Sequence, residues 1–184
     1  IFAELDGILP THAILASNTS SLCITEMASV TTRAEKVLGI HFFNPVPVMP
    51  LIEFVRTILT SDGTMETVQQ FGASLGKTMV TAKDTPGFIV NRLLIPSLLE
   101  AVRVYENGLA TREDIDTAIK LGLNHPMGPL TLLDFVGLDT CLFIADAMYG
   151  EYKDARYAAP PLLRRMVLAG QMGRKSGKGF YDYG

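Results

Sequence analysis

Three prolines within six residues, Pro45, Pro47 and Pro50, separate two apolar runs at 37–40 and 51–55. Each proline fixes φ and removes a backbone donor. The stretch therefore forms a stiff loop that cannot run through the centre of a sheet. His41 stands at the exit of the first run, and Glu53 lies inside the second. A rigid loop that holds a base beside a carboxylate is a device suited to catalysis. On spacing alone the plainer expectation is a satisfied core histidine near a solvent-facing strand glutamate, so the neighbouring residues decide.

The first 85 residues alternate strand and helix. Residues 13–16 form a short apolar run of the kind buried on both faces of a parallel sheet, ending in the polar turn Ser17-Asn18-Thr19-Ser20-Ser21. Ser21 is suited to cap a helix over 22–29. Strands are expected at 36–40, 51–56 and 78–81, with a helix over 64–75 closed by Gly76. This alternation predicts an α/β unit with a parallel, doubly wound sheet, which takes ligands at the carboxyl ends of its strands. Residues 18–20 and 41–44 both lie at such ends.

After Asp84-Thr85-Pro86-Gly87 only helical patterns remain, so the chain divides into 1–85 and an all-α part, 86–184. Pro86 suits the first turn of a helix capped by Asp84 or Thr85. Residues 88–105 are apolar on nearly all sides, as in a helix buried within a larger assembly, and Pro96 is expected to kink it. Further helices are expected from Thr111 to Gly122, from Pro129 to Gly137, over about 139–149, and from Pro161 to near Gly170. The tail, Gly173-Arg174-Lys175-Ser176-Gly177-Lys178, is basic and glycine-rich but lacks phosphate-loop spacing. It reads as a solvated charged loop unless it holds a negative group. No Gly-x-Gly-x-x-Gly occurs.

Hydrophobic residues make up 48% of the 184, enough for a substantial core, and the net charge of −3 contains no basic run. That disfavours nucleic-acid or membrane partners. Cys23 and Cys141 lack Cys-x-x-Cys spacing. They are expected to be inert core thiols in a reducing compartment, the cytoplasm of a bacterium or the mitochondrial matrix of a eukaryote. The chain opens at Ile1 on what reads as the tail of a helix, which suggests that it is the later part of a longer protein. His41, His12 and His125 show no metal-ligand spacing, so no metal is expected.

Among candidates for chemistry, His41 is the best base, because imidazole takes and returns a proton near neutrality. Glu53 is suited to fix its tautomer and stabilise the charged ring. Asn91 interrupts the apolar start of the long helix, where a buried amide needs partners or a ligand, or else serves neighbouring backbone as a cap. Ser20 reads locally as a turn hydroxyl.

Five stretches, in order along the chain, resemble the 3-hydroxyacyl-CoA dehydrogenase family, the short 3-hydroxybutyryl-CoA type most closely. They are 16–21 (Ala-Ser-Asn-Thr-Ser-Ser), 39–49 (Gly-Ile-His-Phe-Phe-Asn-Pro-Val-Pro-Val-Met), 83–92 (Lys-Asp-Thr-Pro-Gly-Phe-Ile-Val-Asn-Arg), 125–129 (His-Pro-Met-Gly-Pro) and 177–181 (Gly-Lys-Gly-Phe-Tyr). The resemblance implies the later part of a Rossmann-type NAD-binding domain followed by a helical domain that forms a homodimer. The family's glycine-rich turn and acidic ribose-binding residue lie before the region covered. The same resemblance implies oxidation of (S)-3-hydroxyacyl-CoA to 3-oxoacyl-CoA with NAD. His41 is then the base, Glu53 its orienting carboxylate, and Ser20 and Asn91 the groups that hold the reacting oxygens. Ser20, Asn44, Lys175 and Asn18 are the residues implied to contact NAD. Two rivals carry different expectations: a hydrolase using Ser20, His41 and Glu53, which lacks a Gly-x-Ser-x-Gly elbow, and a structural or dimerisation module without turnover.

Overall fold

The computed structural model describes residues 1–184, which form two compact units, Ile1–Ile89 and Val90–Gly184. The first unit runs α1 (Phe2–Ile8), β1 (Leu15–Ser17), α2 (Ile24–Ser29), β2 (Val37–Phe42), β3 (Leu51–Arg56), α3 (Asp62–Ser74) and β4 (Thr78–Lys83). The four strands form one sheet in sequence order. β1 pairs with β2, and β3 with β4, in parallel through the helical crossovers α2 and α3. β2 and β3, however, are antiparallel, a departure from the wholly parallel sheet expected of the pattern. Only residues 43–50 join them. A parallel return needs a dozen residues or more, so this short proline-rich link turns the chain straight back.

The central strands are buried on both faces, and side chains alternate between the faces along each strand. Leu38, Ile40, Ile52 and Phe54 pack with Met65 and Val68 of α3. Val37 and Val55 pack on the other face with Ile24 and Ala28 of α2, and with Phe88. His41 and Glu53 share the parity of this second face. Gly39 lies opposite Val55 on it, where an added Cβ would come within 2.8 Å of the Val55 Cβ and 3.4 Å of Ile24 Cδ1. The absence of a side chain at Gly39 is what lets α2 close on the sheet.

Local capping places the helices. Ser61 caps α3, its hydroxyl accepting from the Thr64 amide at 3.2 Å. α2 starts later than the sequence suggests: Cys23, not Ser21, is its N-cap residue, and Cys23 supplies no capping bond. The amides of Ile24 and Thr25 donate instead to the carboxylate of Asp84, at 3.1 and 2.6 Å. This displacement leaves Cys23 exposed, correcting the expectation of two core thiols; Cys141 alone is buried. α1 is fastened by the buried Arg33, which meets Asp6 at 2.5 Å and donates to the carbonyls of Asp6, Leu9 and Pro10.

The second unit is all helix: α4 (Val90–Glu106), α5 (Arg112–Gly122), α6 (Pro129–Val136), α7 (Leu138–Tyr152) and α8 (Pro161–Leu168). Leu98, Leu99, Val102, Leu133, Ala145, Met148 and Leu163 fill its core. Pro96 lies inside α4, which continues through it. Arg174, Lys175, Ser176 and Lys178 are exposed, as expected of a charged loop, but the chain beyond them is fixed. Buried Asp134 accepts from the amides of Phe180 and Tyr181, both at 2.9 Å, and from the Tyr183 hydroxyl at 3.0 Å. Asp116 takes the Tyr181 hydroxyl at 3.0 Å together with the first amides of α6. No helix of either unit is long and apolar enough to cross a membrane.

Candidate active site

The antiparallel register sets His41 of β2 directly opposite Glu53 of β3. The sheet therefore builds this pair by itself, since opposed residues on one face are nearest neighbours. His41 Nδ1 lies 2.7 Å from Glu53 Oε2, and Glu53 Oε1 accepts the Ile89 amide at 3.1 Å. Glu53 is wholly buried and His41 nearly so, overturning the solvent-facing glutamate expected from spacing alone. Burial in an apolar sheet requires such a carboxylate to be fully partnered. An ionised carboxylate only accepts, so Nδ1 carries the ring proton and Nε2 presents its lone pair. The rings of Phe43 and Phe88 flank the imidazole, their centroids 4.6 and 5.5 Å from its own.

Ser20 faces that lone pair: its Oγ is 3.0 Å from His41 Nε2. It sits in the polar turn after β1, which folds on its own hydroxyls. Thr19 Oγ1 accepts from the amides of Ser21 and Leu22, and Ser17 Oγ from that of Thr19. Asn18 Oδ1 accepts the Phe42 amide at 2.9 Å and ties this turn to the end of β2. The structure thus brings Ser20, His41 and Glu53 into one hydrogen-bonded chain. Its serine end lies by the carboxyl ends of the parallel strands β1 and β2.

Asn44 is exposed at the start of the proline loop, before the cis Asn44–Pro45 bond. Lys77 braces that loop by donating to the carbonyls of Val46 and Met49, both at 2.7 Å, a role with no sequence signal. In the helical unit, Asn91 is buried in the first turn of α4. Lys175, in the 3-10 turn Arg174–Ser176, holds Asp139 at 2.5 Å. Burial pushes the Asp139 carboxyl up, but the Lys175 ammonium and the Thr140 amide outweigh it and hold the group below its ordinary value. His12 and His125 are exposed. No three His, Cys, Asp or Glu side chains converge to hold a metal ion.

Sequence reasoning missed Asp84 and Ile89. Asp84 or Thr85 was expected to cap the helix that follows; Asp84 caps α2 instead, while α4 starts only at Val90. Chemically, the arrangement accepts a proton at Nε2 from a hydroxyl placed beside Ser20, with Glu53 compensating the charge that then develops on the ring.

Comparison with known proteins places both units in one family. The family model for the NAD binding domain of 3-hydroxyacyl-CoA dehydrogenase matches residues 1–85, and that for its C-terminal domain matches residues 87–183. All of the chain aligns with a 3-hydroxybutyryl-CoA dehydrogenase of Mycobacterium tuberculosis at 54% identity, covering 65% of that protein. It aligns likewise with the mitochondrial hydroxyacyl-coenzyme A dehydrogenase of Sus scrofa at 52% identity, covering 59%. Among solved structures, Mycobacterium tuberculosis FadB2 superposes with a TM-score of 0.97 over 100% of this chain and 65% of its own. The (S)-3-hydroxybutyryl-CoA dehydrogenase PaaH1 of Ralstonia eutropha gives 0.96 at 49% identity, over 99% of this chain and 64% of its own. The chain thus spans about two thirds or less of the length of these relatives. Both domain models match in their family order, so the chain belongs to the 3-hydroxyacyl-CoA dehydrogenase family.

Proposed function

We propose that the protein carrying these residues oxidises (S)-3-hydroxyacyl-CoA reversibly to 3-oxoacyl-CoA with NAD⁺. The observation that carries this reading is the Ser20–His41–Glu53 hydrogen-bonded chain in a member of this family. Nε2 of His41 removes the proton of the substrate's 3-hydroxyl and returns it in the reverse direction. Glu53 keeps Nδ1 protonated and stabilises the imidazolium that forms. Ser20 and Asn91 align the reacting oxygens, a contribution of positioning rather than bond making. Phe43 and Phe88 shield the ring from water.

The residues present fit the nicotinamide end of NAD. Asn18, Ser20 and Asn44 offer uncharged hydrogen-bonding groups at the strand ends where open α/β sheets take ligands. Lys175 is the positive charge proposed to contact the cofactor. NAD held there would supply a hydride acceptor for the substrate's C3. The helical unit pairs with a second copy. An apolar cavity of about 480 Å³ lined by Leu94, Ala101, Ile119 and Leu132, and the exposed side chains of Leu93 and Leu109, support that reading. The exposed thiol of Cys23 suits a reducing compartment, cytoplasm or mitochondrial matrix.

The Ser-His-Glu chain also has the connectivity of a hydrolytic triad, which favours a second reading. Ser20, however, lies in an irregular turn with no glycine-flanked elbow. A serine-directed phosphonate separates the two: no labelling of Ser20 is expected. The test of the main reading is turnover of (S)-3-hydroxybutyryl-CoA and NAD⁺ by the full-length protein, followed by NADH absorbance. His41→Ala lowers kcat at least about 10²-fold. Unchanged turnover in that variant removes His41 from the mechanism.

A further inference from the structure

The turn that carries Ser20 has two anchors. Its front anchor is the Asn18 carboxamide on the Phe42 amide. Its rear anchor is α2, and α2 is held by a residue from the far edge of the sheet. Asp84 Oδ1 accepts the Ile24 amide at 3.1 Å. Its Oδ2 accepts the Thr25 amide and the Thr25 hydroxyl, each at 2.6 Å, and lies 3.6 Å from the Cys23 thiol. The Asp84 backbone prolongs the β3–β4 ladder, its amide donating to the Arg56 carbonyl at 3.0 Å. The carboxylate therefore transmits the position of the sheet to α2, and through α2 to Ser20.

The same short segment meets the other two members of the hydrogen-bonded chain. Gly87 and Phe88 turn it through positive φ, 84° and 46°. Left-handed backbone is costly for a phenylalanine, so the surroundings must hold it. The turn lays the Phe88 ring edge-on against His41 and brings the Ile89 amide to Glu53 Oε1. Residues 84–89 thus touch Ser20 through α2, His41 through a ring and Glu53 through an amide.

We infer that Asp84 is a positioning residue for the Ser20–His41 contact, the anchor of a strap over residues 84–89 that aligns the whole proton-handling chain. Its importance for catalysis rests on the dehydrogenase reading; the geometric claim stands apart from it. A helix cap that served stability alone would leave the serine-imidazole contact unchanged when weakened. Asp84→Asn keeps the shape of the side chain but turns one accepting oxygen into a donor facing other donors. Thr25→Val removes a single arm and leaves both amide contacts in place.

The test is ¹⁵N NMR of the His41 ring in the full-length protein, for wild type, Ser20→Ala, Asp84→Asn, Thr25→Val and the Ser20→Ala/Asp84→Asn double variant. Losing the Ser20 hydroxyl moves the Nε2 resonance toward that of an unbonded imine nitrogen. Asp84→Asn is expected to move it the same way, Thr25→Val less far, and the double variant no farther than Ser20→Ala. A wild-type Nε2 resonance in folded Asp84→Asn overturns the inference. If that variant does not fold, a wild-type resonance in Thr25→Val does so. In the full-length protein, Asp84→Asn lowers kcat by up to about 10²-fold, as expected of a misplaced group. The loss largely disappears in the Ser20→Ala background. Absence of any dehydrogenase turnover in the wild type sinks the functional reading while leaving the NMR result to judge Asp84.

Discussion

His41 and Glu53 stand opposite one another in the β2–β3 ladder, twelve residues apart in sequence and 2.7 Å apart at Nδ1 and Oε2. The pair is made by register, not by a loop. Its geometry is therefore as fixed as the sheet, and chemical change at one partner tests the other directly.

Replacing Glu53 with glutamine keeps the volume but removes the charge and the acceptor-only character that dictates the ring tautomer. With Glu53→Gln, kcat in the full-length protein falls by at least about 10²-fold while the Michaelis constant for acyl-CoA changes little. Steady-state kinetics check this. A variant that loses affinity and keeps its turnover number contradicts an orienting role.

Lys175 is held by Asp139, and the proposed function gives its charge to the cofactor. Lys175→Ala accordingly raises the Michaelis constant for NAD more than that for acyl-CoA. Parallel titrations of the two substrates decide, and the opposite ordering rejects the assignment.

Gly39 has no room for a side chain: Val55 stands 2.8 Å from where its Cβ would be. Gly39→Val forces α2 away from the sheet and lowers stability by roughly 1–3 kcal/mol, the usual range for overpacking. Thermal unfolding of the variant measures it. Gly63, whose Cβ position is open, serves as the control: Gly63→Ala is tolerated.

The two thiols separate by environment. Burial pushes the Cys141 thiol up to about 12, whereas Cys23 is exposed. Thiolate is the reactive form, so iodoacetamide modifies Cys23 and spares Cys141 in the native protein, as mass spectrometry reads directly. The sign of the stability effect follows. Between the ordinary thiol value of 9.0 and about 12, the unfolded chain loses the Cys141 proton before the folded one does. Folding stability from this group is full below pH 9 and declines as pH rises through that window.

Much of this was legible in the residues themselves. Pro45, Pro47 and Pro50 announced a rigid link, and the residues on either side of it are those that meet. The start of α5 at Thr111 was visible because capping is local. What stayed hidden was tertiary. The burial of Glu53 depends on the antiparallel turn-back, which follows from the length of the link and not from strand composition. Ser21 looked like the cap of α2, but the Asp84 carboxylate lies 60 residues away from Ile24 in sequence, beyond the reach of any local pattern. The anchoring of the chain beyond the basic loop was hidden as well, because nothing in Phe180 or Tyr181 reveals that Asp134 collects their amides.

The hairpin that joins β2 to β3 has one more implication. A base and its carboxylate drawn from consecutive strands find each other through a short stretch of chain, without waiting for distant parts to assemble. Exchanging residues 45–49 at unchanged length therefore leaves the imidazole and its carboxylate neighbour in register.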